Sequence, residues 1–113
     1  MKSFLLPLFI GVLVIGCQKK EQQLETVTVK ATTMVCGKCA KTITKAVYAV
    51  EGVKDVSVDV DKKIVQVKFV PLQTNLAMLE RAITDAGYDA DDKKRDPEAY
   101  KNLDECCKVE ESN

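Results

Sequence analysis

The chain has 113 residues, enough for one small domain and its appendages but not for two cores of ordinary size. Its 17 basic and 17 acidic residues cancel, which excludes the bulk attraction to nucleic acid that a basic protein has. There is no histidine, so imidazole catalysis is excluded, and a metal site must be built from thiolate, thioether or carboxylate.

The first element is a leader. Lys2 opens it, Phe4–Ile15 is apolar, and small Gly16 precedes Cys17. That apolar run is too short to span a bilayer and fits a secretory signal over residues 1–16. Its end, "VIGC" (Val14–Cys17), resembles the bacterial lipoprotein lipobox, in which the cysteine becomes the lipid-modified first residue; Cys17 is the expected lipidation site. The other reading of these residues is an anchor that stays attached, with Cys17 an idle thiol. Residues 17–24 form the lipidated cysteine and a polar tether, which reaches at most about 25 Å at roughly 3.5 Å per residue. Acyl chains would hold the protein at a membrane. Gln18 stands where Asp acts as an inner-membrane retention signal in some bacteria, which favours the outer membrane, facing the periplasm.

Residues 25–90 read as one domain. "ETVTVKA" (Glu25–Ala31) alternates, placing Val27, Val29 and Ala31 on one face of a strand. From Lys38 to Val50 the apolar positions Ala40, Ile43, Val47 and Val50 step by three and four, as on a helix that Glu51–Gly52 ends. Val56, Val58 and Val60 share a face of a second strand; "DKK" turns, and "IVQVKF" answers with Val65, Val67 and Phe69, an antiparallel hairpin. Thr74 is the expected N-cap of a second helix through Ala86, carrying Leu76, Leu79, Ile83 and Ala86 inward, with Met78 also in the core and Gly87 as the stop. "YDA" (Tyr88–Ala90) opens a short last strand, although "DDKKRD" offers it no apolar continuation. The order β-α-β-β-α-β predicts an α+β fold: a ferredoxin-like βαββαβ sandwich, two helices on one face of a four-stranded antiparallel sheet.

Residues 91–113 form a charged tail with eight acidic and five basic residues. Pro97 can start a short helix there, "PEAYKNLDECC", with Tyr100 and Leu103 on one side and the vicinal pair Cys106–Cys107 at its end.

Cys36 and Cys39 fall where a strand passes into a helix. Free amide N–H groups and the helix dipole favour thiolate there. Two facing thiolates suit a soft, low-coordinate cation such as Cu(I) or Hg(II). Zn(II) wants four ligands, and the pair alone is half of such a site. Two further readings stay open: buried structural cysteines, and a thiol–disulfide oxidoreductase, for which the chain is short and the pair lacks an intervening proline.

"TMVCGKCAKTI", followed by "VEGVKDVSVDVDKKIVQVKF" and "AITDAGYDA", resembles the heavy-metal-associated domain family of copper chaperones, metal-pumping ATPases and periplasmic mercury-binding proteins. The resemblance covers about Glu25–Ala90. It implies that Cys36 and Cys39 are the metal ligands, that Met34 packs beneath the loop without ligating, and that Tyr88 sits beside the metal loop and tunes it. Thr33 replaces the family's usual glycine, and Val35 stands where threonine is frequent. The cysteine-bearing tail lies outside the pattern.

These readings converge on a lipid-anchored, monomeric, extracytoplasmic protein, not an enzyme, that takes Cu(I) or Hg(II) on Cys36 and Cys39. It would pass the ion to a metal-transporting membrane protein, a pump or a permease, or hold it as a scavenger. Lys38, Lys41 and Lys45 on the outer side of the first helix either form a solvated face or help dock an acidic partner. The vicinal pair is an additional metal or redox candidate: if the last strand leads away from the metal loop, Lys93–Cys107 must recross roughly 15–20 Å of the domain to bring Cys106 and Cys107 back to it.

The lipobox reading has a direct test. Cys17→Ala should leave an unprocessed precursor with no incorporated lipid label; a soluble, fully processed Cys17→Ala protein would identify an ordinary secreted form.

Overall fold

The structure, a computed structural model, describes residues 23–108 together with Gly11, so the expected lipidation site Cys17 lies outside the described residues. The alternation in "IVQVKF" is realised in the central strand. Val65, Val67 and Phe69 are buried while Gln66 and Lys68 face solvent. With β1 spanning Glu25–Lys30, β2 Val53–Asp59 and β3 Ile64–Phe69, the sheet has the order β1-β3-β2 and is antiparallel throughout. Val29 opposes Val65 on one side of β3, and Val58 opposes Val65 on the other, so the apolar face is continuous across the sheet. The hairpin between β2 and β3 closes through the Asp59 carboxylate, which accepts the Lys62 N–H at 3.0 Å, and through Lys63 at φ 56°.

Two helices cover that face. In α1 (Gly37–Tyr48), Cys39, Ile43 and Val47 are buried at four-residue spacing. In α2 (Leu76–Asp85), Leu79 and Ile83 are buried, and they join the α1 and sheet residues, Met34 and Tyr88 in one cluster. Three details differ from the expectation. Leu76, expected to face inward, is 41% exposed at the first turn of α2. Asn75, not Thr74, caps α2, its side chain accepting the Met78 N–H at 3.0 Å, while the Thr74 hydroxyl turns into the protein. Met78 is not core: it is 49% exposed, because the buried pair Leu79 and Ile83 sets the inner face and rotates Met78 off it. Glu80, next to that face, is buried instead.

The expected fourth strand does not form among the described residues; the sheet has three strands. The segment after Tyr88 does reach the free edge of β1, where the Asp91 N–H donates to the Lys30 carbonyl (2.8 Å) and the Asp91 carboxylate accepts the Lys30 N–H (2.9 Å). One residue thus satisfies both exposed backbone groups of Lys30. Asp91 then adopts φ 53° and the chain reverses, bringing Lys93 into a bridge with Ala90. With no apolar residue in "DDKKRD" to hold a strand on the core, the polar turn wins. The tail therefore starts beside β1 and has no domain to recross, contrary to the expected return path.

The tail's helix starts at Pro97 as expected but stops at Lys101, short of the vicinal cysteines. It is α3 (Pro97–Lys101), capped by the Asp96 carboxylate on the Glu98 N–H at 2.9 Å. Gly87 lets it dock. Its φ of 103° belongs to the left-handed region, and a Cβ there would lie 3.0 Å from both Ala99 C and Tyr100 N. Gly87→Ala should therefore cost more than the ~1–2 kcal/mol of a left-handed non-glycine residue. Urea denaturation should show a lower midpoint, and hydrogen exchange should show lost protection in α3; an unchanged midpoint would mean that the tail does not pack on Gly87.

Candidate metal centre

The loop between β1 and α1 is built from the core outward. Ala31 and Met34 are buried, and the Met34 N–H bonds the Ala31 carbonyl at 3.0 Å. Met34 thus packs beneath the loop. Thr33, where the family pattern has glycine, has a use: its buried hydroxyl accepts the Asp89 N–H at 3.0 Å and ties the loop to the segment carrying Tyr88. Cys36 is the N-cap residue of α1, with extended backbone, and its carbonyl accepts the N–H groups of Cys39 (3.0 Å) and Ala40 (3.3 Å). That geometry brings the half-buried Cys36 Sγ within 3.4 Å of the Sγ of fully buried Cys39.

The tail supplies two more sulfurs. A 3-10 turn, Glu105–Cys107, sets Cys106 Sγ 3.3 Å and Cys107 Sγ 3.5 Å from Cys36 Sγ, and 3.9 Å from each other. Cys106 is exposed and Cys107 buried; all four thiols are free. Several features hold the tail in place. Leu103 packs against the core cluster. Lys93 Nζ bonds the buried Glu80 carboxylate at 2.8 Å. Lys38 Nζ lies 3.3 Å from Asp104, an exposed pair that adds little by itself. The Asp96 N–H also donates to the Thr84 carbonyl at 3.0 Å, and the Arg95 guanidinium lies 3.7 Å from the centre of the Tyr100 ring.

The four sulfurs are electrostatically unequal. The Cys39 backbone N–H beside Cys36, and next the Cys106 thiol, bring Cys36 down to about 6, so it is the thiolate of the cluster at neutral pH. Cys106 is pushed up, first by its hydrogen bond with the Cys36 sulfur, which holds its proton, and next by desolvation. Cys107 is raised by burial first and by the Cys39 thiol second. Lys38, held to Asp104 and near both tail sulfurs, is raised and stays a cation. Tyr88 is fully buried, and its hydroxyl, which faces Cys39 and Cys107, makes no hydrogen bond. Burial raises it and keeps it a neutral donor in want of an acceptor.

Cys36, Cys39, Cys106 and Cys107 are thus brought together in one sulfur cluster with the Tyr88 hydroxyl beside it, while Met34 is buried in the hydrophobic core. Sequence reasoning missed Thr33, Glu80, Asp91 and Asp104. Only Glu80 announced itself: a carboxylate next to the inner face of a helix calls for a cation from another element. A cluster of thiols with one thiolate, a neighbouring ammonium and a dry hydroxyl can bind a thiophilic cation and exchange it sulfur by sulfur.

Comparison with known proteins agrees with this chemistry. The heavy-metal-associated domain family matches residues 26–89. The mercuric transport protein periplasmic component of Salmonella typhi is 39% identical over 64 residues, 57% of this chain and 70% of that protein. The crystal structure of oxidized MerP from Ralstonia metallidurans CH34 aligns with a TM-score of 0.58 and 35% identity, covering 60% of this chain and 94% of that one. The N-terminal domain of a potential copper-translocating P-type ATPase from Bacillus subtilis, in its Cu(I)-loaded state, aligns with a TM-score of 0.58 and 26% identity, covering 61% of this chain and 86% of that one. The family match ends at residue 89, before the tail.

Cys36 should be singled out by alkylation. In the reduced, metal-free protein its thiolate population, and with it the rate of reaction with iodoacetamide, should rise as pH passes upward through about 6 and level off by neutrality. Cys107 should stay unmodified over that range. Mass spectrometry of pulse-labelled peptides reads this; a Cys36 midpoint in the ordinary thiol range near 8.5 would refute the assignment.

Proposed function

The chain belongs to the heavy-metal-associated domain family, and we propose that it is an extracytoplasmic carrier that captures Cu(I) or Hg(II) on Cys36 and Cys39. The observation that carries this reading is the juxtaposition of the two thiols, 3.4 Å apart at the start of α1, in a chain that matches the family over residues 26–89. Soft cations prefer thiolate sulfur, and a d10 ion that accepts two sulfurs in line needs no further ligand from a partner. Both metals fit this chemistry, and relatives are named for each.

The ion is cargo, and the protein works by ligand exchange rather than catalysis. Cys36, already a thiolate and half-buried, meets the ion first; Cys39, buried behind it, loses its proton and closes the pair. An acceptor thiolate then forms one metal–sulfur bond as one bond to the carrier breaks, so the charge on the metal never changes. A membrane metal transporter presenting thiols is the fitting acceptor. The exposed Lys38, Lys41 and Lys45 offer an acidic acceptor surface a long-range attraction that falls with salt. The expected lipid on Cys17 would tether the carrier at the envelope through residues 17–24. Because β1 runs from that tether toward the metal loop, the loop would face away from the anchoring membrane. The periplasmic relatives support an extracytoplasmic place of work.

The test isolates the pair. In a Cys106→Ser/Cys107→Ser background, the reduced protein should bind one Hg(II) or Cu(I) far more tightly than Zn(II), and adding either Cys36→Ser or Cys39→Ser should weaken that binding by at least ~100-fold in competition with a chelator. Undiminished affinity in those variants would remove the central claim. Catalytic reduction of a disulfide substrate by the same protein would instead identify a dithiol oxidoreductase.

A further inference from the structure

Cys36 Sγ has two sets of neighbours. Cys39 lies 3.4 Å away and also adjoins Cys107, while Cys106 and Cys107 complete with Cys36 a triangle whose sulfurs all lie within 4.8 Å of one another. We propose that Cys36, Cys106 and Cys107 form a second, three-sulfur site that shares Cys36 with the Cys36/Cys39 pair, so that one thiophilic cation moves between them without leaving the protein. The proposal rests on the carrier reading above and extends it to the tail.

Geometry favours the triangle. With metal–sulfur bonds of ~2.3 Å, a trigonal site spaces its sulfurs about 4.0 Å apart and a linear pair about 4.6 Å apart. The triangle's edges of 3.3, 3.5 and 3.9 Å need to open by about 0.7 and 0.5 Å on two sides and hardly at all on the third. The Cys36–Cys39 pair, at 3.4 Å, must open by roughly 1.2 Å for a linear ion of that bond length.

Two further observations point to an ion at this place. The Tyr88 hydroxyl is fully buried, faces Cys39 and Cys107, and has no hydrogen-bond partner. A buried donor left unpaired is costly; a thiolate made by metal binding gives it the acceptor that a thiol gives poorly. Lys38 Nζ, 3.3 Å from Asp104 in the segment that leads into Cys106 and Cys107, is a cation beside the tail that offsets part of the net negative charge three thiolates leave on a bound cation.

The transfer balances simply. Starting from the ion on Cys36 and Cys39, the Cys106 and Cys107 thiols each lose a proton and form a bond to the metal. The Cys39 bond breaks and its thiolate takes up one proton. One proton is released in all, and neither metal nor sulfur changes oxidation state. Cys106, the exposed sulfur of the four, is then the one an incoming acceptor thiolate meets first. The tail acts as a lid whose sulfurs compete with the acceptor.

X-ray absorption of the protein spanning residues 18–113, reduced and loaded with one equivalent of Hg(II), decides the matter. The intact sequence should show at least three sulfurs on mercury, Cys106→Ser/Cys107→Ser two, and Cys39→Ser still three. Cys39→Ser should also keep its Hg(II) affinity within ~10-fold, whereas Cys36→Ser, which breaks both sites, should lose at least ~100-fold. Release to a competing dithiol should be at least tenfold slower from the intact sequence than from Cys106→Ser/Cys107→Ser. Two sulfurs on mercury in the intact sequence, or loss of tight binding in Cys39→Ser, would overturn the second site and leave the Cys36/Cys39 carrier standing. Failure of the carrier reading would look different, as Hg(II) binding unaffected by Cys36→Ser/Cys39→Ser. The single variant Cys106→Ser, at an exposed position, guards against misfolding of the others: it too should show one sulfur fewer on mercury than the intact sequence, and a count equal to that of the intact sequence would count against the proposal.

Discussion

Asp91 holds both backbone groups of Lys30, donating its own N–H to the carbonyl and accepting the amide with its carboxylate. That pair of bonds does the work of a first strand pairing in a single residue, and the left-handed backbone of Asp91 turns the chain at once. Had the segment continued as an edge strand, each further residue would have carried the tail farther from the cysteines. Because it stops here, Arg95 returns to Asp89, Asp96 to Thr84, and the 3-10 turn to Cys36. The closure of the sulfur cluster therefore depends on where the sheet is ended.

The four cysteines show how environment divides labour among identical side chains. Cys36 gains from a helix start and becomes the thiolate; Cys107 is in the core, where burial disfavours charge; Cys106 is exposed. A bound cation inverts this order, since it makes thiolates of the buried sulfurs as well. The protein is arranged to be charged at one sulfur when empty and at several when loaded. Lys38, and the proton on the Tyr88 hydroxyl, are placed to meet that change.

Much of this was legible in the residues. Alternation in "IVQVKF" and the three-four spacing through Ile43 and Val47 fix strand and helix faces, and neither needs distant information. The pair at Cys36 and Cys39 was legible because the strand-to-helix junction is local. What was not legible depends on tertiary competition. Thr74 and Asn75 are both good caps, and only the packing of the neighbouring loop turns one of them inward. Met78 carries an apolar side chain at a position that the rotation of α2 leaves in water. The last strand was weak for the reason that defeated it, a run of charge with nothing to bury, but the sequence did not reveal that Asp91 would supply the substitute bonds. That the tail returns was a matter of reach; how it returns rests on Glu80, Lys93 and Gly87, residues far apart in the chain.

Gly87 has two uses that are chemically unrelated. It ends α2 in a backbone shape that side chains resist, and the hydrogen it carries in place of a methyl leaves a hollow on the surface of the domain. Into that hollow the backbone of α3 settles. A position already committed to glycine for the sake of a helix stop thus offers a floor on which an added segment can rest, with no core residue exchanged to make room. An appendage could be acquired at this point of the fold, sulfurs and all, as an accretion onto a finished domain.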